Sequence, residues 1–331
     1  MSEITKSGAR KAAAVRCRLS SRGEDLVPPG FRRIEEGNAV LVVREAWAEA
    51  AHRVFAPLYQ AWARIAKRRF TAQGRAGIVS FPLGKDLPAM MVRRYVHGGL
   101  FARVGRDLYW GMDRALAELI VAEAAKRGGV RTPDPIGALG QRMYGPFWRL
   151  AFLSVEVAES EDLIHYGCRL SEYPPETAAL EKRGVIREAA LQIRKMHDLG
   201  IDHADLHLKN LLLRRRADAT PEVYLLDFDR ASAGPPLDSE RRLKNLKRLA
   251  RSVRKVRIAD TVLTGWDRLR FVRDYVRGHP EAHALMRRWA RRLASSGRAH
   301  EAWWTATGAK RNLRGDGLGT LAGPRSMRTG R

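Results

Sequence analysis

MHDLGIDHADLHLKNLLLRRRADATPEVYLLDFDR, Met196 to Arg230, is the stretch on which the reading of this chain turns. Just upstream and at its start, Ile186, Ala189, Ala190, Ile193 and His197 recur at helical spacing, and Gly200 supplies the stop. Within it, Asn210-Leu-Leu-Leu213 and Val223-Tyr-Leu-Leu226 are short apolar runs of strand character separated by a polar turn. Asp205, Asn210 and Asp227 therefore leave loops or strand ends at one edge of a buried hairpin. The order D-x-x-x-x-N, apolar strand, D-F-x suits phosphoryl transfer. One carboxylate orients the attacking hydroxyl, while the amide and the second carboxylate hold magnesium against the phosphates. His203-x-Asp205-x-His207 also has the composition of a metal cluster, as in a metallohydrolase. Zinc sites take three or four ligands, however, and such a cluster leaves Asn210 and Asp227 without a role.

Composition bounds the alternatives. At 331 residues the chain can form two lobes around a sizeable core. Its formal charge of +25 calls for an anionic partner: nucleic acid, an acidic membrane surface or a phosphorylated substrate. Cys17 and Cys168 give neither a disulfide framework nor a zinc pattern, which fits a reducing cytoplasm. No apolar run approaches the ~18 residues that span a bilayer, and the first residues lack the apolar segment of about 7–15 residues of a signal peptide. A soluble or peripheral protein is expected. Residues 1–27 and 305–331 are basic and without apolar period, so both are expected to be disordered.

His203-Ala-Asp205-Leu-His-Leu-Lys-Asn210 resembles the catalytic loop of the protein-kinase-like superfamily, and Leu226-Asp227-Phe-Asp229-Arg230 resembles its metal motif with Asp in place of Gly. The closer resemblance is to bacterial lipopolysaccharide kinases that act on 3-deoxy-D-manno-octulosonic acid (Kdo), and it runs from about Gly74 to Lys255. It implies an α+β, two-lobed fold with a small β-rich N-lobe over 28–157 and a larger helical C-lobe over 158–304.

The remaining motifs take their roles from that resemblance. Gly74-Arg-Ala76-Gly77 leads into Ile78–Phe81 and sits where kinases cover the phosphates with a glycine turn, whose amides approach phosphate closely. On the next strand, Met90 to Tyr95, the family carries arginine where protein kinases carry lysine. Arginine grips phosphate in bidentate fashion. Strand alternation puts only one of Arg93 and Arg94 inward, and Arg93 is the better candidate. His97-Gly98-Gly99-Leu100 resembles a glycine bend of the family, followed by Arg103 and Arg106 as possible anion contacts. Glu118, on an amphipathic helix from Arg114, occupies the position of the glutamate that pairs with the phosphate-gripping residue. Phe147 to Val157 reads as the strand that crosses between lobes, with backbone near Glu156 to Ala158 facing adenine.

Outside these motifs, Phe31 to Arg44 reads as a hairpin about Gly37-Asn38, and Ala46 to Arg69 as a helix that Pro57 kinks or splits. Beyond Asp229, Leu243, Leu246, Leu249 and Val253 form the apolar stripe of a strongly cationic helix suited to anionic contacts. The resemblance implies transfer of the ATP γ-phosphoryl group to the 4-hydroxyl of Kdo on Kdo-lipid A, with Mg²⁺, at the inner face of the inner membrane. Asp205 is the catalytic base in that reading, His203 braces the loop, and Asn210 and Asp227 are metal ligands. No specific nucleic acid is expected. A core heptose, another small-molecule hydroxyl, or an inactive basic pseudokinase binding membrane or RNA are the competing readings.

Overall fold

Period-2 alternation in the first lobe sorts its apolar residues onto two faces of one sheet. The structure, a computed structural model, describes residues 27–68, 77–96, 107–256, 262–279, 282–289 and 291–293. These belong to the first of the chain's two units, Met1–Leu293. The segments expected to be disordered, apart from Val27, and the His97–Arg106 stretch lie outside the described residues.

Strands β1 (Phe31–Glu36) and β2 (Ala39–Arg44) form the expected hairpin, turning at Gly37 with φ 61°. The helical stretch that follows is split. Helix α1 (Ala48–Phe55) stops where Ala56 turns extended, Pro57 is extended too, and helix α2 (Ala61–Lys67) resumes after a short 3-10 turn. A proline ring cannot sit inside a continuous helix, and it disfavours helical backbone in the residue before it. Phe55, Leu58, Trp62 and Ile65 are buried, whereas Trp47 is only partly so.

Then come β3 (Ile78–Phe81), β4 (Met90–Arg94), β5 (Tyr109–Trp110), helix α3 (Asp113–Arg127), β6 (Pro135–Tyr144) and β7 (Phe147–Val155). The seven strands make one sheet in the order β1-β2-β6-β7-β4-β3, with β5 added against β7, every pairing antiparallel. Leu41, Val43, Leu139, Ala151 and Leu153 point to the face covered by α1 and α2. Their neighbours Val40, Val42, Ala138, Leu150 and Phe152 point to the opposite face, against Leu116, Leu119 and Ala122 of α3. Helices therefore cover both faces, which sets α3 between the sheet and the second lobe.

The second lobe holds β8 (Ser160–Asp162), α4 (Leu163–Leu170), α5 (Pro175–Asp198), β9 (Ile201–Asp202), β10 (Leu211–Arg215), β11 (Pro221–Leu225), β12 (Ser232–Ala233), α6 (Ser239–Lys255) and α7 (Gly265–Val276). Asp162 caps α4 by accepting from the amides of Ile164 and His165. Helix α5 carries Pro175 at its first turn and buries Ala189, Ala190, Ile193 and Met196 in the same core as Val223 and Leu225. Gly200 ends it with φ 77°, and a Cβ there would fall 2.0 Å from the Gly234 carbonyl. Only glycine lets these two backbones approach, and the approach seats β9 against β12.

Candidate active site

The loop after β9 is held from below by a carboxylate. Asp202 accepts from the Ala204 amide at 3.1 Å and from Asn245 Nδ2 at 2.9 Å, with Arg248 Nη1 3.9 Å away. Burial pushes the Asp202 carboxyl up, but the bonds from Asn245 and Ala204, helped by Arg248, hold it below its ordinary value. Ala204 then takes a left-handed φ of 57°, and the Asp205 amide donates back to the His203 carbonyl at 2.6 Å.

His203 is fully buried against the Phe228 ring, and its Nε2 lies 2.8 Å from the Leu226 carbonyl. A carbonyl only accepts, so Nε2 carries the proton. Burial lowers the imidazole's pKa and keeps the ring neutral. His203 thus ties the catalytic-loop candidate to the residue before Asp227. Asn210 makes a second tie: its Nδ2 donates to the Asp205 carbonyl at 3.0 Å, and its own carbonyl accepts from the Leu226 amide at 2.9 Å. The Asp205 side chain projects from this brace and is 58% exposed, with His207 Nε2 3.6 Å from its Oδ2.

Asp227 adopts φ 65°, a conformation that costs a non-glycine residue ~1–3 kcal/mol and persists only when its surroundings impose it. From the sheet side, Arg93 reaches it. Arg93 Nη2 lies 3.4 Å from Asp227 Oδ1 and donates to both Glu118 oxygens, at 2.6 and 2.5 Å. Glu118 is 2% exposed and also accepts from the Tyr95 hydroxyl, whose proton burial retains. Burial would lower the Arg93 pKa, but Glu118 and then Asp227 outweigh it and keep the guanidinium charged. Burial raises the Glu118 carboxyl to about 7, against the pull of Arg93. One turn before Glu118 on α3, Arg114 clasps Asp229 through Nε and Nη2.

Arg93, not Arg94, is therefore the strand's inward arginine at this site. The structure brings Arg93, Glu118 and Asp227 together, and His203, Asp205 and Asn210 converge on the same loop. Gly74 and Ala76 lie outside the described residues. Gly77 opens β3 with φ 95°, and its carbonyl accepts from the Arg94 amide at 3.0 Å. The Glu156 amide donates to the Ala89 carbonyl and the Val157 carbonyl accepts from Ser160 Oγ. Sequence reasoning missed the contacts of Arg114 and Tyr95 and the Asp202–Asn245 brace, and met His207 only as part of a metal cluster. Arg114 lies four residues before Glu118 and so on the same helix face, and Tyr95 lies two residues after Arg93 and so on the same strand face.

The donor set fits magnesium. Asp227 Oδ1 is buried without a hydrogen-bond partner, and the Asn210 side-chain oxygen remains an acceptor once its Nδ2 is engaged. Both are hard oxygen donors of the kind Mg²⁺ takes alongside phosphates. Among the described residues no group of three His, Cys, Asp or Glu side chains is placed to hold a metal. The imidazoles of His203 and His207 do not share a site, since His203 turns inward to Leu226.

Residues 60–275 match the model of the lipopolysaccharide kinase (Kdo/WaaP) family. The chain belongs to this family. The match reaches beyond Gly74–Lys255 at both ends and takes in α2 and nearly all of α7. This Kdo/WaaP-family chain is 34% identical over 241 residues to the 3-deoxy-D-manno-octulosonic acid kinase of Xanthomonas euvesicatoria pv. vesicatoria (strain 85-10), covering 71% of this chain and 86% of that protein. It is 30% identical over 213 residues to the protein of the same name from Vibrio vulnificus (strain YJ016), covering 63% and 82%. A solved structure described as WaaP in complex with acyl carrier protein aligns with a TM-score of 0.48 at 20% identity, over 76% of this chain and 98% of that one. As a Kdo/WaaP-family kinase with the α+β, two-lobed fold, the protein is a phosphotransferase with an alcohol group as acceptor.

Proposed function

We propose that this protein transfers the γ-phosphoryl group of ATP to the 4-hydroxyl of Kdo on Kdo-lipid A. In support, the curated relatives are named 3-deoxy-D-manno-octulosonic acid kinases. The observation that carries the reading is Arg93, which bonds Glu118 and lies 3.4 Å from Asp227, so a cation sits between the sheet and the metal motif where phosphates would lie. In this reading residues 28–157 form the nucleotide-gripping lobe and 158–304 the acceptor-side lobe.

Asp205 accepts the proton of the acceptor hydroxyl as its oxygen attacks the γ-phosphorus and ADP leaves. Its exposure leaves it accessible to a sugar. Asn210 and Asp227 hold Mg²⁺, which when bound neutralises charge on the phosphate oxygens. Arg93 grips the phosphates, Glu118 and Tyr95 fix its orientation, and His203 holds the loop against the metal motif. Backbone near Glu156 to Ala158 meets adenine.

The acceptor is borne by a lipid, so the protein works peripherally at the cytoplasmic, anionic face of the inner membrane. Among the described residues no helix is long and apolar enough to cross a bilayer. Helix α6 buries Leu243, Leu246 and Leu249 and exposes Arg241, Lys244, Arg251 and Lys255, which share one helical face. Magnesium-dependent ATP consumption by the full chain is measured with Kdo-lipid A and with core heptose acceptors. Mass increase of the Kdo residue alone supports the reading. Phosphorylation of heptose instead, or no transfer at all, overturns it.

A further inference from the structure

The terminal torsion of an asparagine is broad and roughly two-fold, so only hydrogen bonds decide which way its oxygen points. Those of Asn210 are nearly all accounted for. Its backbone N–H donates to the His207 carbonyl at 2.9 Å, and its backbone carbonyl accepts from Leu226 at 2.9 Å. One Nδ2 hydrogen goes to the Asp205 carbonyl at 3.0 Å. A single side-chain bond of this kind leaves the amide plane free to turn about it.

The second Nδ2 hydrogen goes to the His207 imidazole, whose Nε2 lies 3.3 Å away. An amide nitrogen only donates, so this ring nitrogen accepts and the imidazole proton sits on Nδ1. The same Nε2 is 3.6 Å from Asp205 Oδ2. The two contacts compete, because a nitrogen that accepts from Asn210 has no proton to offer a carboxylate. Distance decides between them: 3.6 Å is too long for a hydrogen bond, whereas 3.3 Å is at the long end of the range for one. The loop holds His207 for this contact. A 3-10 turn, Leu208–Asn210, follows it, and the Leu208 amide donates to Ser252 Oγ of α6 at 3.1 Å. The backbone carbonyl and the ring of His207 therefore both engage Asn210. With its two Nδ2 hydrogens taken, Asn210 keeps its side-chain oxygen free among the described residues, turned away from both acceptors.

We infer that His207 is a positioning residue for the metal: by accepting from Asn210 Nδ2 it fixes the amide plane and presents Asn210 Oδ1 to magnesium. The inference rests on the metal role given to Asn210 above and adds the residue that sets its orientation. In this role His207 works as an acceptor, not as a cation over Asp205 or the phosphates.

The test is a magnesium titration of ATP binding by the full chain, followed by calorimetry from a metal-free starting point. His207→Ala is expected to raise the half-maximal magnesium concentration roughly two- to tenfold, the scale of one neutral hydrogen bond. ATP affinity without magnesium stays at the parent's value. His207→Gln, whose side-chain oxygen accepts at about the reach of Nε2, restores most of the loss, and His207→Lys, which only donates, does not. The His207 side chain is partly exposed, so these variants keep the fold, which melting checks. Should His207→Ala fail to fold, the contrast between glutamine and lysine carries the same test. Rescue by lysine but not by glutamine overturns the inference, since it makes His207 a cation. A titration unmoved in the alanine and lysine variants overturns it too. Asn210→Ala separates the inference from the reading beneath it. If that variant shifts the titration and the His207 variants do not, the positioning role alone falls. If it shifts nothing, Asn210 is no metal ligand and both fall. No acceptor enters the titration, so the identity of the acceptor sugar bears on neither result.

Discussion

Replacing Glu118 with glutamine removes a charge while keeping the side chain's shape, and the structure sets the scale of the loss. Glu118 is 2% exposed and accepts two bonds from Arg93 and one from Tyr95. Removing one partner of a buried ion pair ordinarily costs ~3–5 kcal/mol, because the remaining charge is stranded. Three features reduce that here, the first being that burial raises the Glu118 carboxyl to about 7, so that it carries only part of a charge near neutral pH. Asp227 Oδ1, 3.4 Å from the same guanidinium nitrogen, remains as counter-charge, and glutamine's oxygen still accepts a bond. A loss of about 2 kcal/mol follows, since a lost hydrogen bond to a charged group is worth ~1.5–3 kcal/mol. At roughly 2–4 °C per kcal/mol for a domain of this size, melting falls by about 4–8 °C. The catalytic consequence is distinct from the thermal one. Arg93, released from Glu118, is drawn toward Asp227 and away from the nucleotide. The KM for ATP therefore rises, and kcat/KM drops about tenfold or more for a loss of ~1.4 kcal/mol or greater in the transition state. Differential scanning fluorimetry and steady-state kinetics over ATP concentration read the two effects independently. A variant that melts with the parent and keeps its KM for ATP refutes the argument that Glu118 positions Arg93.

Asp205→Ala should leave the fold and ATP binding intact, since the side chain is more than half exposed, and lower kcat by ~10²–10⁴-fold in single-turnover transfer assays. Asp227→Asn should shift the magnesium titration of nucleotide binding to higher concentration and nearly abolish transfer, as measured by calorimetry with and without Mg²⁺. Arg241→Glu/Lys244→Glu/Lys255→Glu on α6 should weaken sedimentation with anionic vesicles at low salt, each charge being worth ~1 kcal/mol near such a surface, while ATP binding is unchanged. Acid should destabilise the fold, because burial lowers the pKa of His197 from 6.5 to about 3 and that of His203 in the same direction. Above pH 6.5 both states are neutral there and stability is full; below it the unfolded chain takes up a proton the folded one refuses, so chemical denaturation should show a loss of up to about 1.4 kcal/mol per pH unit from His197 down to about pH 3.

What could be read in the sequence was what the chain encodes locally. Asp205 and Asn210 share one loop and Asp227 ends the next hairpin, so their spacing alone points to one edge, and the structure gathers them there. Strand alternation says that only one of Arg93 and Arg94 turns inward, and the split at Pro57 follows from the proline itself. The contacts that hold these groups in place join distant segments, and no spacing rule reaches them. Asn245 bonds Asp202 from another element, and Arg114 meets Asp229 across 115 positions. Val253 continues the apolar stripe of α6 in sequence but is only partly buried, because the end of the helix leaves the core. The Arg114–Asp229 clasp accounts for a departure that the motif alone left unexplained. Protein kinases carry glycine where this chain has Asp229, and a glycine has nothing for Arg114 to hold. With the carboxylate present, α3 grips the site twice: through Glu118 on Arg93, and one turn earlier through Arg114 on the residue two beyond Asp227. Any displacement of α3 strains both grips together. Arg93 and the Asp227–Asp229 segment are therefore coupled through one helix.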